Sequence, residues 1–97
     1  MIRSFGDART ADVFHGLATS RVRRLSQDVV RACVRKLDYL NAAGDLRDLR
    51  SPPGNRLEAL SGTLTGRYSI RVNDQWRIVF RWQGRDALDV TLTDYHK

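Results

Sequence analysis

Residues 68–82 read YSIRVNDQWRIVFRW, and the way this stretch pairs with itself decides the fold. Tyr68, Ile70 and Val72 fall at every second position, as do Trp76, Ile78, Phe80 and Trp82, the period of two that marks half-buried strands. For both apolar sets to lie on one face, directly opposed residues must have numbers that sum to an even value, which a two-residue turn cannot provide. A three-residue loop, Asn73-Asp74-Gln75, sets Val72 against Trp76, Ile70 against Ile78 and Tyr68 against Phe80. The other face is then fixed, with Arg71 against Arg77 and Arg67 against Arg81. Like charges directly across a sheet oppose pairing by about the 0.2–1 kcal/mol that a favourable pair contributes. Residues 56–81 hold five arginines (56, 67, 71, 77 and 81) and two carboxylates, Glu58 and Asp74. A bound polyanion would neutralise such a face. Splayed, solvated guanidiniums stacked on aromatic neighbours are the other reading of the same residues.

The basic bias extends to the whole chain. Its 97 residues carry 17 Lys and Arg against 11 Asp and Glu, a net charge of +6 and an isoelectric point near 10.4. Fifteen of those cations are arginines, the exceptions being Lys36 and Lys97. Guanidinium grips phosphate with paired N–H donors, so an anionic partner is expected, although a GC-rich genome also writes Arg for Lys. At 41% hydrophobic residues the chain has enough apolar material to fold, and its length suits one domain over 1–97. Cys33 is alone, and His15 and His96 are the only histidines, so neither a disulfide nor a zinc cluster is expected, and no cofactor is indicated. No apolar run approaches a membrane span or a signal peptide, which predicts a cytoplasmic protein without a membrane partner.

Outward from the hairpin, 56–61 and 87–95 read as further strands, giving four with 67–73 and 75–82. Turns fall at Gly62, Gly66, Asn73-Asp74 and Gln83-Gly84. On the last strand Leu88, Val90 and Leu92 are expected to face the core, and Thr91, Thr93 and Tyr95 the arginine face. Ahead of the strands, Ser26 caps a helix that runs to about Ala43-Gly44, with Val30, Cys33, Val34, Leu37 and Leu40 as its core stripe and Arg31 and Arg35 on the other side. Asp7 caps a shorter helix ending near Gly16. Residues 2–5 suggest a short strand, 17–24 a basic connection bearing Arg21, Arg23 and Arg24, and 45–49 a helical turn stopped by Ser51-Pro52-Pro53-Gly54. The expected fold is α+β: a short N-terminal strand and two helices packed on a mainly antiparallel, twisted sheet of four to five strands.

The C-terminal stretch brings Asp94, Tyr95 and His96 together, three groups able to carry protons. Metal-independent RNA cleavage must remove the 2′-OH proton, stabilise charge on a pentavalent phosphorus and protonate the departing 5′ oxygen. Arginines suit the second task, and His, Tyr or Asp the first and third.

The segments Pro52-Pro-Gly-Asn-Arg-Leu-Glu-Ala-Leu60, Tyr68-Ser-Ile-Arg-Val-Asn-Asp-Gln-Trp-Arg-Ile-Val-Phe80 and Asp94-Tyr-His96, in this order of elements, resemble the HigB-type toxins of bacterial toxin–antitoxin modules, within the RelE superfamily. Met1-Ile-Arg-Ser-Phe5 and Arg35-Lys-Leu37 are similar too, so the likeness spans essentially the whole chain. It implies a ribosome-dependent endoribonuclease that cuts messenger RNA and inhibits translation and growth. It also implies restraint by a cognate HigA-like helix-turn-helix antitoxin, through which alone operator DNA would be bound. The resemblance implicates Arg77 as the arginine on the scissile phosphate, with Asp94, Tyr95 and His96 beside it. Arg56, Arg67, Arg71 and Arg81 are supporting RNA-binding candidates. Arg21, Arg23, Arg24, Arg31 and Arg35 are candidates for contact with the ribosome or the antitoxin. Several ribonucleases of this group carry Lys or His in the strand ending Leu60-Ser61-Gly62, where this chain has Glu58 and Ser61. The general base is therefore open among Glu58, Asp94, Tyr95 and His96. The alternative within the same superfold is a non-catalytic toxin that binds a protein target, as the ParE-type gyrase poisons do.

Overall fold

The computed structural model describes residues 1–95. Asp7 accepts the Thr10 N–H at 2.9 Å and starts α1 (Ala8–Phe14). Ser26 accepts the Val29 N–H at 3.2 Å and starts α3 (Gln27–Ala42), whose first turn carries Asp28 as the helix dipole favours. Between them the expected basic connection folds into one helical turn, α2 (Ser20–Arg23), because Val22 and the following Leu25 are buried. The α2 turn is tied to α1 by Arg21, whose Nε donates to Asp12 at 2.7 Å, and by Thr19, whose hydroxyl donates to the same carboxylate at 2.9 Å.

Four strands follow among the described residues, β1 (Glu58–Ala59), β2 (Arg67–Arg71), β3 (Trp76–Gln83) and β4 (Asp86–Asp94), antiparallel in that spatial order. The hairpin register is the one the arithmetic requires: Ile70 opposes Ile78, Tyr68 opposes Phe80, Arg71 opposes Arg77 and Arg67 opposes Arg81. Asn73 builds the loop by accepting the backbone N–H groups of Gln75 and Trp76, both at 2.8 Å, while Val72 donates to the Trp76 carbonyl at 2.9 Å. Residues 2–5 pair parallel with β4 through bridges from Ile2 to Ala87 and Phe5 to Val90. The chain turns at Gly6 against Thr91 so closely that a Cβ there would stand 2.0 Å from its hydroxyl. Phe80, Ile70, Ile78, Val90 and Leu92 on the sheet meet Cys33, Leu37 and Leu40 of α3 in one core. No helix among the described residues is long and apolar enough to cross a membrane.

Two strand expectations change. The strand expected over 56–61 shrinks to Glu58–Ala59, because Arg56 adopts a left-handed conformation (φ +45°) that breaks the extended run. In β4 a bulge between the rows of Val79 and Arg81, with Asp89 at φ +52°, shifts the alternation. Ala87, not Leu88, then takes the core position opposite Trp82. Leu88 instead opposes Arg81 and is half-buried.

Candidate functional site

Arg77 sits in the middle of the sheet with its side chain only 11% exposed. Its Nε donates to the Ser69 hydroxyl at 2.8 Å, and one terminal nitrogen donates to the Arg56 carbonyl at 2.7 Å. The left-handed turn at Arg56 aims that carbonyl. The other terminal nitrogen lies 3.9 Å from the Glu58 carboxylate, and the guanidinium carbon stands 5.9 Å from the centre of the Tyr95 ring. A guanidinium has five N–H donors in one plane. Ser69 and Arg56 fix that plane and leave donors on the Glu58 side for an anion.

The like-charge rows are tolerated because each receives a carboxylate. Arg71 is paired with Asp74 of the hairpin loop, Arg77 with Glu58, and Arg81 with Asp89 at 2.7 Å. Asp89 comes from β4 and was not among the two acids counted within 56–81, so the face is less naked than the hairpin alone implies. Arg56 and Arg67 have no carboxylate partner among the described residues.

The fold thus brings Arg77, Glu58, Tyr95 and the register partner Arg71 together. It sets Asp94 apart: Asp94 opposes Trp76, one row over from Arg77 and Thr93, and so belongs to the other side of the strand, where Gln75 Nε2 donates to its carboxylate at 3.2 Å. His96 lies outside the described residues. Arg21, Arg23, Arg24, Arg31 and Arg35 are exposed on the helical layer. Arg21 is engaged by Asp12, and Arg31 by Asp28. Cys33 is fully buried, and desolvation pushes its thiol up to about 12, the behaviour of an inert core residue.

Two contributors escape the pattern reading. Ser69 is fully buried and orients Arg77; its place beside Val79 on the arginine face follows from the register, which was the signal available. Asn55 is also fully buried, in the Pro52-Pro-Gly-Asn segment, and accepts from the Lys36 ammonium at 2.6 Å. Lys36 is itself buried, and its desolvation, with Arg35 and Arg71 nearby, holds its pKa below the ordinary lysine value. A lysine beside an apolar helical stripe carries no local sign of such a partner.

Comparison with known proteins places this geometry in context. Residues 5–96 match the model of the family described as RelE-like toxin of type II toxin-antitoxin system HigB. Toxin HigB-1 of Vibrio cholerae serotype O1 is 48% identical over 77 residues, covering 79% of this chain and 80% of that one. An uncharacterized protein of Haemophilus influenzae is 35% identical over 69 residues, covering 71% and 68%. Among solved structures, a YoeB-YefM complex from Staphylococcus aureus superposes with a TM-score of 0.62 at 15% identity, covering 100% of this chain and 99% of that one. The YoeB/ParE toxin from Agrobacterium tumefaciens gives 0.54 at 17%, covering 98% and 100%. At those identities the two superpositions speak for the fold, whereas the family match and the HigB-1 relative speak for descent. A chain matched over nearly its whole length in this way belongs to the HigB family of RelE-like toxins of type II toxin–antitoxin systems.

Proposed function

We propose that this toxin is a ribosome-dependent messenger RNA endoribonuclease that cleaves through the 2′-OH. The observation that carries the reading is Arg77, held in plane by Ser69 and the Arg56 carbonyl, with a carboxylate and a phenol beside it on one cationic face. In this reading Glu58, 56% exposed, takes the 2′-OH proton. The 2′ oxygen attacks phosphorus, Arg77 neutralises the extra charge, and the bond to the 5′ oxygen breaks as Tyr95 or His96 protonates it, leaving a 2′,3′-cyclic phosphate and a 5′-OH end. Arg56, Arg67 and Arg71 hold the flanking backbone. The cognate partner is a HigA-like antitoxin, and the ribosome presents the message.

Mapping messenger ends after induced expression tests this. Codon-phased cuts with 5′-OH ends are expected, slowed about a hundredfold or more in Arg77→Ala, the scale for removing a charge-stabilising donor, and slowed in Glu58→Gln, with both variants still folded and bound by antitoxin. DNA damage without message cleavage would instead mark a gyrase-directed toxin.

A further inference from the structure

The buried ammonium of Lys36 stands 5.6 Å from the centre of the Tyr39 ring on the same helix. It lies on α3, 7% exposed, with no carboxylate partner among the described residues. An apolar side chain would fill a buried helix position without the desolvation penalty that a charge incurs. What Lys36 holds is Asn55. Its Nζ donates to Asn55 Oδ1 at 2.6 Å, while Asn55 Nδ2 donates to the carbonyls of Leu49 at 3.2 Å and Ser51 at 3.3 Å. The Asn55 backbone N–H donates to the Pro52 carbonyl at 2.9 Å. Every polar group of that side chain is engaged, and the turn Pro53–Asn55 is fixed from three directions. The next residue is Arg56, left-handed at φ +45° and ψ 55°, a conformation that a residue with a Cβ keeps only where its surroundings over-determine it. That conformation delivers the Arg56 carbonyl to the Arg77 guanidinium at 2.7 Å.

We propose that Lys36 and Asn55 are positioning residues for Arg77: the Lys36–Asn55 bond holds the 51–56 turn so that the Arg56 carbonyl restrains the guanidinium in its phosphate-binding plane. The restraint stands on geometry; its catalytic consequence rests on the ribonuclease reading above. Lys36→Met keeps the length and apolar stem of the side chain and removes the donor. Asn55 Oδ1 is then buried without a partner and the turn relaxes.

Two measurements separate the proposal from the function it serves. The first is rotation of the Arg77 guanidinium about its Nε–Cζ bond, followed by ¹⁵N exchange NMR on the full chain, with Arg81 as internal control because Asp89 holds it independently. Rotation at Arg77 is expected to quicken by about fivefold or more in Lys36→Met, as loss of one charge-assisted hydrogen bond predicts, while Arg81 is unchanged. The second is single-turnover cleavage of ribosome-bound message. The maximal rate is expected to fall about tenfold at an unchanged half-saturating concentration, and in an Arg77→Ala background Lys36→Met should change the rate by less than about twofold, since the two act through one path. Asn55→Asp keeps an acceptor for Lys36 and loses the donors to Leu49 and Ser51. It is expected to loosen Arg77 in the same direction, and serves if Lys36→Met does not fold. Quickened rotation in Lys36→Met, together with a wild-type protein that cuts no message, upholds the positioning and sinks the ribonuclease reading. Unaltered Arg77 rotation in the folded variants overturns the positioning, whatever the activity.

Discussion

The hydroxyl of Ser69 is buried in the sheet and accepts the Nε–H of Arg77 at 2.8 Å. Ser69→Ala removes only that oxygen, so the small side chain still fits and the cost falls on the orphaned donor, about 1–3 kcal/mol for a buried group left unpaired. The guanidinium is then free to swing toward Glu58, which stands 3.9 Å away. Cleavage assayed on ribosome-bound message should slow by about tenfold, with the far-ultraviolet spectrum unchanged, because orientation rather than charge is lost. Wild-type rates in the folded variant would show that Arg56 alone suffices. Arg71 and Arg81 differ from Arg67 in a way their spacing does not betray, since each already has a carboxylate. For Arg81 that difference arises from the chain path, with Asp89 arriving from another strand, whereas Asp74 lies three residues from Arg71.

Among the elements, α1 and α2 are joined through one carboxylate. The Arg21 guanidinium and then the Thr19 hydroxyl, both bonded to Asp12, hold its pKa below the ordinary value of 3.8. A depressed folded value means that the linkage contributes fully above 3.8, the value of the unfolded chain, and is lost as pH falls through the lowered folded value. Acid titration of thermal stability should therefore show a steeper loss below 3.8 in the wild type than in Asp12→Asn; equal slopes would mean that the pair does not couple the helices. Legibility divides along the same lines. The hairpin register could be read because two apolar alternations and a loop length leave one solution. The caps at Asp7 and Ser26 were equally local. The bulge at Asp89 was not, because it depends on how β4 meets β3 and the N-terminal segment together: the Asp89 N–H is taken by the Ser4 hydroxyl at 2.9 Å. Nor was the inward turn of Asn55, which a lysine 19 residues earlier completes. Of the candidate proton carriers, Glu58 and Tyr95 lie near Arg77, whereas Asp94 is adjacent to Tyr95 in sequence only, since a strand sends successive side chains to opposite faces.

For the molecule as a whole, a net charge of +6 is divided between a sheet face and a helical layer, and only part of it is available to a partner. Binding to ribosomal or messenger RNA should weaken with salt in proportion to the phosphates neutralised. Removing an uncommitted cation with Arg67→Gln should reduce the slope of log affinity against log salt by about one, and Arg81→Gln, whose charge Asp89 already balances, by less. Equal changes in a salt titration would contradict this division of the surface. The N-terminal segment has a bearing on solution behaviour as well. Residues 2–5 bond to β4 on the side away from β3, and beyond them Thr10 accepts the Leu92 N–H at 2.8 Å while Arg9 donates to the Leu92 carbonyl at 3.3 Å. A strand nine residues long would otherwise offer a template for another chain. The opposite margin is β1, two residues in length and broken off by the left-handed Arg56. Between a covered long border and a short one, the sheet offers little backbone for edge-to-edge pairing.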